Sequence, residues 1–227
     1  MSVDDIVKLF EAIAKLLNVL LWPGVILFIL IRFGRDLREF FLNLGELSLK
    51  GAGFEASLKR KQDEAVAALY AAAKSKPSED RTRKSVAKEA RTVVAKVVTP
   101  RVIRRARRSV VLWVDDNPNN NSYERQALEA LGVIFVLAQS TDEALNKIAR
   151  QRFDAIISDM GQLSDSRAGY TLLDKLRSSG DQTPFIIYSS SRDPEHVAES
   201  HRHGATGCAT NANELFEMVL SVLARGA

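Results

Sequence analysis

Three aspartates carry the chemistry that this sequence offers. Asp115 and Asp116 stand side by side behind the apolar run Val110–Val114, within SVVLWVDDNP at 109–118. Asp159 ends a second run of the same form, FDAIISD at 153–159. A short stretch of β-branched and aromatic residues closed by Asp-Asn-Pro reads as a buried strand that delivers acids to a loop. Adjacent carboxylates are costly unless a cation sits between them. Three that converge make a hard oxygen site of the kind Mg²⁺ takes, and one of them could act as nucleophile toward a phosphoryl group. An Asp-Asp pair after a strand can also simply cap the next helix.

The surrounding pattern supplies the elements that would bring the acids together. Strands are predicted at 110–114, 133–137, 155–158, 185–188 and 206–209, and helices at 122–131, 141–150, 170–177, 194–203 and 212–223. Five strands alternating with five helices over short connections specify an α/β fold with a doubly wound parallel sheet. Right-handed crossovers place the first and third strands side by side at the switch point, so Asp115, Asp116 and Asp159 should share one crevice.

From 109 to 224 the residues resemble the receiver domains of bacterial two-component response regulators. VDDNP matches the paired acids and FDAIISD the phospho-acceptor strand. GYTLLDKLR matches the following helix, TPFIIYSS the fourth strand and GATGCATN the fifth. The resemblance implies a flavodoxin-like five-stranded sheet and phosphorylation on Asp159. It implies Mg²⁺ held by Asp115, Asp116 and Asp159 with the Gly161 carbonyl, and Ser189 as the hydroxyl that bonds the phosphoryl group. It also implies a signalling module that at most accepts a phosphoryl group autocatalytically, with a histidine kinase or another protein as partner. Three departures stand out. Asn211 and Ala212 occupy the places of the usual lysine and proline, and Cys208 that of the fifth-strand aromatic. The loop after Asp159, MGQLSDSRAGY, is longer and more polar than usual. Arg167 on that loop is the first substitute for the missing cation and Lys175 the second. The alternatives are a phosphorylation-independent scaffold, a pseudo-receiver, or a membrane-bound sensor or effector.

Ahead of this half, residues 16–31 hold no charge. A span needs roughly 20 apolar residues, and the apolar character reaches upstream past Lys15, which can snorkel. The acids Asp4 and Asp5, and the lack of a small-residue cleavage site, speak against a secretory leader. The reading is a transmembrane helix at 1–34, a juxtamembrane amphipathic region at 35–75, a basic helical linker at 76–108 and the receiver-like domain at 109–227. Arg32, Arg35 and Arg38 after the span set a single pass of the inner membrane with the C-terminal domain in the cytoplasm.

Charge divides the chain further. Residues 32–108 carry twenty Lys/Arg against nine Asp/Glu, whereas 109–227 carry ten against sixteen. The basic stretch 74–108 suits a solvated linker or anionic lipid better than nucleic acid, because no aromatic residues interleave it. Stretch 46–58 fits a hairpin or a helix equally. The span and the leucine and phenylalanine stripe at 37–47 point to a homo-oligomer. His196, His201 and His203 read as surface residues, and the lone cysteine, Cys208, as a small buried strand residue that excludes an internal disulfide.

Overall fold

Five short parallel strands build the frame in the order β2-β1-β3-β4-β5. They are β1 (Val110–Val114), β2 (Ile134–Ala138), β3 (Ala155–Asp159), β4 (Phe185–Tyr188) and β5 (Gly207–Ala209). The computed structural model describes residues 52–76, 82–161, 165–189, 191 and 193–225. The expected span at 16–31 and the stretch at 35–51 lie outside them. Among the described residues, no helix is long and apolar enough to cross a membrane. The chain divides into two units, Met1–Glu55 and Ala56–Ala227, and the second holds the whole sheet.

Both faces of the sheet are covered, which is why β1, β3 and β4 read as continuous apolar runs rather than alternating ones. Val111, Trp113, Ala155, Ile157, Ile186 and Tyr188 turn to one face and join one buried cluster. Leu112, Val114, Ile156, Phe185 and Ile187 turn to the other and join a second. The crossovers are helices: α4 (Ser122–Glu129), α5 (Thr141–Ile148), α6 (Ala168–Ser178), α7 (Pro194–Arg202) and, after β5, α8 (Ala212–Arg225). The flavodoxin-like α/β fold expected from the sequence is therefore present, with most helix and strand ends displaced by only a few residues. Thr206 falls just outside β5: its N–H donates to the Phe185 carbonyl, and its hydroxyl accepts from the Phe185 N–H.

Three helices precede the sheet: α1 (Ala52–Ser75), α2 (Arg83–Val97) and α3 (Pro100–Ala106). Within 46–58 the part from Ala52 onward is helix. Thr82 caps α2 by accepting from the Ser85 N–H, and Thr99 caps α3 by accepting from the Val102 N–H. Pro100 stands in the first turn of α3, where its missing N–H costs nothing. Val86, Ala90 and Val94 recur every fourth residue, so α2 buries one stripe and leaves its lysines and arginines in water. From Ala56 onward these helices are integral to the second unit. Ala65, Leu69, Ala72, Ala90, Val94, Ile103 and Ala106 share a buried cluster with Leu128 of α4 and Phe216 and Leu220 of α8. Each large apolar side chain so covered contributes roughly 1.5–3 kcal/mol. Lys61 of α1 also donates to the Ala130 carbonyl and Gln62 to the Val98 carbonyl, which fixes the helix against its neighbours.

Candidate functional site

The acids meet at the C-terminal edge of the sheet because β1 and β3 are adjacent. Val114 pairs with Ser158, so the residues following each strand's last pair emerge together. Asp115, Asp116 and Asp159 each bring one carboxylate oxygen to within 4.8 Å of the others. All three expected acids are thus in one crevice.

Their surroundings differ. Asp115 is buried, and both its oxygens are engaged: Oδ1 accepts from the Asn117 N–H (2.8 Å) and Oδ2 from the Asn121 side-chain amide (2.6 Å). It is the fixed wall of the site. Asp116 and Asp159 are half-buried. Asp159 Oδ1 accepts from the N–H of its neighbour Met160 at 2.7 Å. Burial pushes the Asp159 carboxyl above the ordinary aspartate range. The Met160 N–H opposes this, the negative charges of Asp115 and Asp116 add to it, and Lys76 opposes it again. The donors are all carboxylate oxygens, the chemistry a small hard cation requires, so these residues fit Mg²⁺.

Ser189 follows Tyr188, which is paired with Asp159 across the sheet. Its N–H donates to the Ala209 carbonyl, and its hydroxyl accepts from the Ser191 N–H at 3.3 Å. This seats Ser189 on the same edge as the acids. Gly161 lies two residues past Asp159 on the loop leaving β3, half-buried and against the Ser166 backbone. Downstream, Asp165 anchors the start of α6, accepting from the Arg167 N–H and the Thr171 hydroxyl, both at 2.8 Å.

Arg167 does not serve the acids: its guanidinium pairs with Glu199 and lies over the Tyr170 ring, 5.2 Å from the centroid. Lys175 is exposed in the last turn of α6. Asn211 is occupied as a helix cap, its Oδ1 accepting from the Glu214 N–H while Glu214 accepts from Thr210 in return. Among the described residues, the cation whose charge reaches Asp159 is Lys76, one residue past the end of α1. Its ammonium donates to Asn121 Oδ1 (2.7 Å), Glu124 Oε1 (2.8 Å) and the Tyr188 hydroxyl (3.1 Å). The Tyr188 hydroxyl also donates to Glu124, at 2.9 Å. Burial, and then the Glu124 carboxylate, hold the Tyr188 phenol well above its ordinary value. Nothing in the residues around Lys76 marks it in advance, since it sits in a run of basic residues 39 positions before Asp115.

Residues 111–219 match the family model of the response regulator receiver domain. Among solved structures, the chain is similar to the receiver domain of the Francisella response regulator 1452, at 23% identity and a TM-score of 0.46, over 52% of this chain and 97% of that one. It is similar to the chemotaxis response regulator CheY4 of Vibrio cholerae, at 28% identity and 0.45, over 50% of this chain and 98% of that one. A response regulator from Chloroflexus aurantiacus gives 25% identity and 0.47, over 52% and 98%. No curated protein matches the chain.

Proposed function

We propose that the receiver domain at 111–219 is a phospho-switch in which Asp159 accepts a phosphoryl group beside a Mg²⁺ ion. The observation that carries this reading is the gathering of Asp115, Asp116 and Asp159 within 4.8 Å at the tips of adjacent strands. Asp115, Asp116 and Asp159 would hold the ion, with the Gly161 carbonyl as a further ligand. When bound, the ion supplies positive charge to the oxygens of the incoming phosphoryl group.

The rest is done by the chain. An oxygen of the Asp159 carboxylate attacks the phosphorus of an acyl phosphate or phosphohistidine donor. The bond from phosphorus to the leaving oxygen or nitrogen breaks, its electron pair leaves with that atom, and a mixed acyl phosphate remains. The half-buried position of Asp159 leaves a face open to the donor, while Asp115 stays locked in its hydrogen bonds. Ser189 would donate to a phosphoryl oxygen and so draw the end of β4 toward Asp159.

The apolar run 16–31 extends the reading to a module tethered to the inner membrane and facing the cytoplasm, fed by a histidine kinase. Its output is docking, either on a protein partner or on a second copy.

The test is direct. The full chain incubated with Mg²⁺ and acetyl phosphate should gain the mass of one phosphoryl group, released by hydroxylamine as an acyl phosphate is. Asp159→Asn should gain none. A wild-type chain that stays unmodified, with Mg²⁺ bound, overturns the phospho-switch and leaves a scaffold.

A further inference from the structure

Three carboxylates in one crevice need a cation that belongs to the protein, because a phosphoryl group on Asp159 adds negative charge where it is already concentrated. Residues 109–227 would normally be expected to hold that cation. Among the described residues, the cations of this half that were expected to serve the site are spent elsewhere or exposed, and Asn211 caps a helix.

We propose that the segment ahead of the receiver domain completes its acid site: Lys76, held at the end of α1, is the charge partner of the phosphoryl group on Asp159. This rests on the phospho-acceptor reading given above.

The placement is built rather than incidental. Glu124 is buried on α4 and draws the ammonium in at 2.8 Å. Asn121 is shared, its Oδ1 accepting from Lys76 while its amide donates to Asp115 Oδ2, so Lys76 lies one side chain away from the metal-binding wall. Tyr188, the strand partner of Asp159, holds the ammonium from a third side by its hydroxyl and by its ring, 4.6 Å away. About half of the Lys76 side chain is still exposed, so the ammonium can turn toward a new acceptor in the crevice. The α1 helix that carries it is fixed by Ala65, Leu69 and Ala72 in the core.

The arrangement separates a charge role from a structural one. An ammonium beside the acids repels Mg²⁺ but attracts a phosphoryl anion. A residue that only braced the fold would, when lost, weaken both.

The experiment compares the full wild-type chain with Lys76→Gln and Lys76→Arg. Mg²⁺ affinity is read by titration with the metal alone, and labelling by acetyl phosphate is read by mass. Gln keeps a donor for Glu124 but removes the charge. It should bind Mg²⁺ about threefold to tenfold more tightly, from a unit charge removed several ångströms from a dication. Its labelling should slow by about tenfold or more, from loss of a charge-assisted contact. Lys76→Arg should stay near wild type in both. Weaker Mg²⁺ binding by a folded Lys76→Gln chain, or unchanged labelling, overturns the proposal. If the Gln chain unfolds, Lys76→Arg decides, since failure of a folded Arg chain to label refutes a role for charge. Should the wild type itself take no phosphoryl group, it is the phospho-acceptor reading that has failed. The Mg²⁺ titration then still shows whether Lys76 acts on the acids.

Discussion

Asp159→Asn should make the metal-free protein more stable, although it removes the proposed phospho-acceptor. Two unit charges 4.8 Å apart repel by about 3.5 kcal/mol at an effective dielectric near 20. Asp159 faces two such neighbours, Asp115 and Asp116, and is partly desolvated, with Lys76 opposing. Solvent at this half-open crevice screens part of the repulsion, leaving a net gain of about 1–3 kcal/mol for the neutral amide. In a chain of this size that is about 3–10 °C in melting temperature. Melting curves in chelator measure it.

The sign with pH follows. The folded-state carboxyl of Asp159 lies above its unfolded value of 3.8, so its contribution to stability is full below 3.8 and is lost as pH rises through the raised folded value. The advantage of Asp159→Asn over wild type should therefore be largest near neutral pH and shrink toward pH 4. Asp165 and Asp181, whose carboxyls are held below the ordinary range, act in the opposite sense and are common to both chains. Added Mg²⁺ should reverse the order. At a hundred times its dissociation constant, a ligand stabilises by about 2.7 kcal/mol, and the variant lacks one of the three proposed ligands. A melting temperature that falls on Asp159→Asn in chelator, or that responds to Mg²⁺ as wild type does, would refute the electrostatic account of the crevice.

Other perturbations should behave differently. Asp115→Ala relieves a similar repulsion but leaves the Asn117 N–H and the buried Asn121 amide without their acceptor, so in urea titration it should be about 2–4 kcal/mol less stable than Asp159→Asn and should lose Mg²⁺ binding; a difference below about 1 kcal/mol would show that these bonds do not hold the loop. Gly169→Ala places a methyl group 2.8 Å from the Asp159 carbonyl oxygen and 3.3 Å from Met160 Cα, both backbone atoms that cannot swing aside. It should destabilise by about 1–3 kcal/mol and weaken Mg²⁺ binding by shifting the tip of β3. Wild-type Mg²⁺ affinity in that variant would mean that α6 moves instead.

How much of this was legible beforehand depended on distance along the chain. The strands could be read because burial on both faces forces unbroken apolar runs, as in Val110–Val114, and because each is closed by acids or turn residues. The adjacency of the first and third strands followed from short helical crossovers, and with it the meeting of Asp115, Asp116 and Asp159. These are local patterns joined by a general rule of handedness. The basic stretch at 74–108 was different. Its valines and alanines gave the helical period of α2, but period alone cannot say whether a stripe lies on lipid, on another chain or on its own domain. In the structure, Ala90 and Val94 lie with Phe216 and Leu220.

The sequence by itself determined the acids, the strands that carry them and the absence of a lysine at Asn211, because each is written in neighbouring residues. Tertiary structure alone decided which cation stands beside the site. Lys76 and Asp159 are 83 positions apart, and only the docking of α1, with Glu124 and Tyr188 buried beside it, brings that ammonium to the crevice. A charge placed across such a span leaves no periodicity to read, since what selects the lysine is the shape of the folded core.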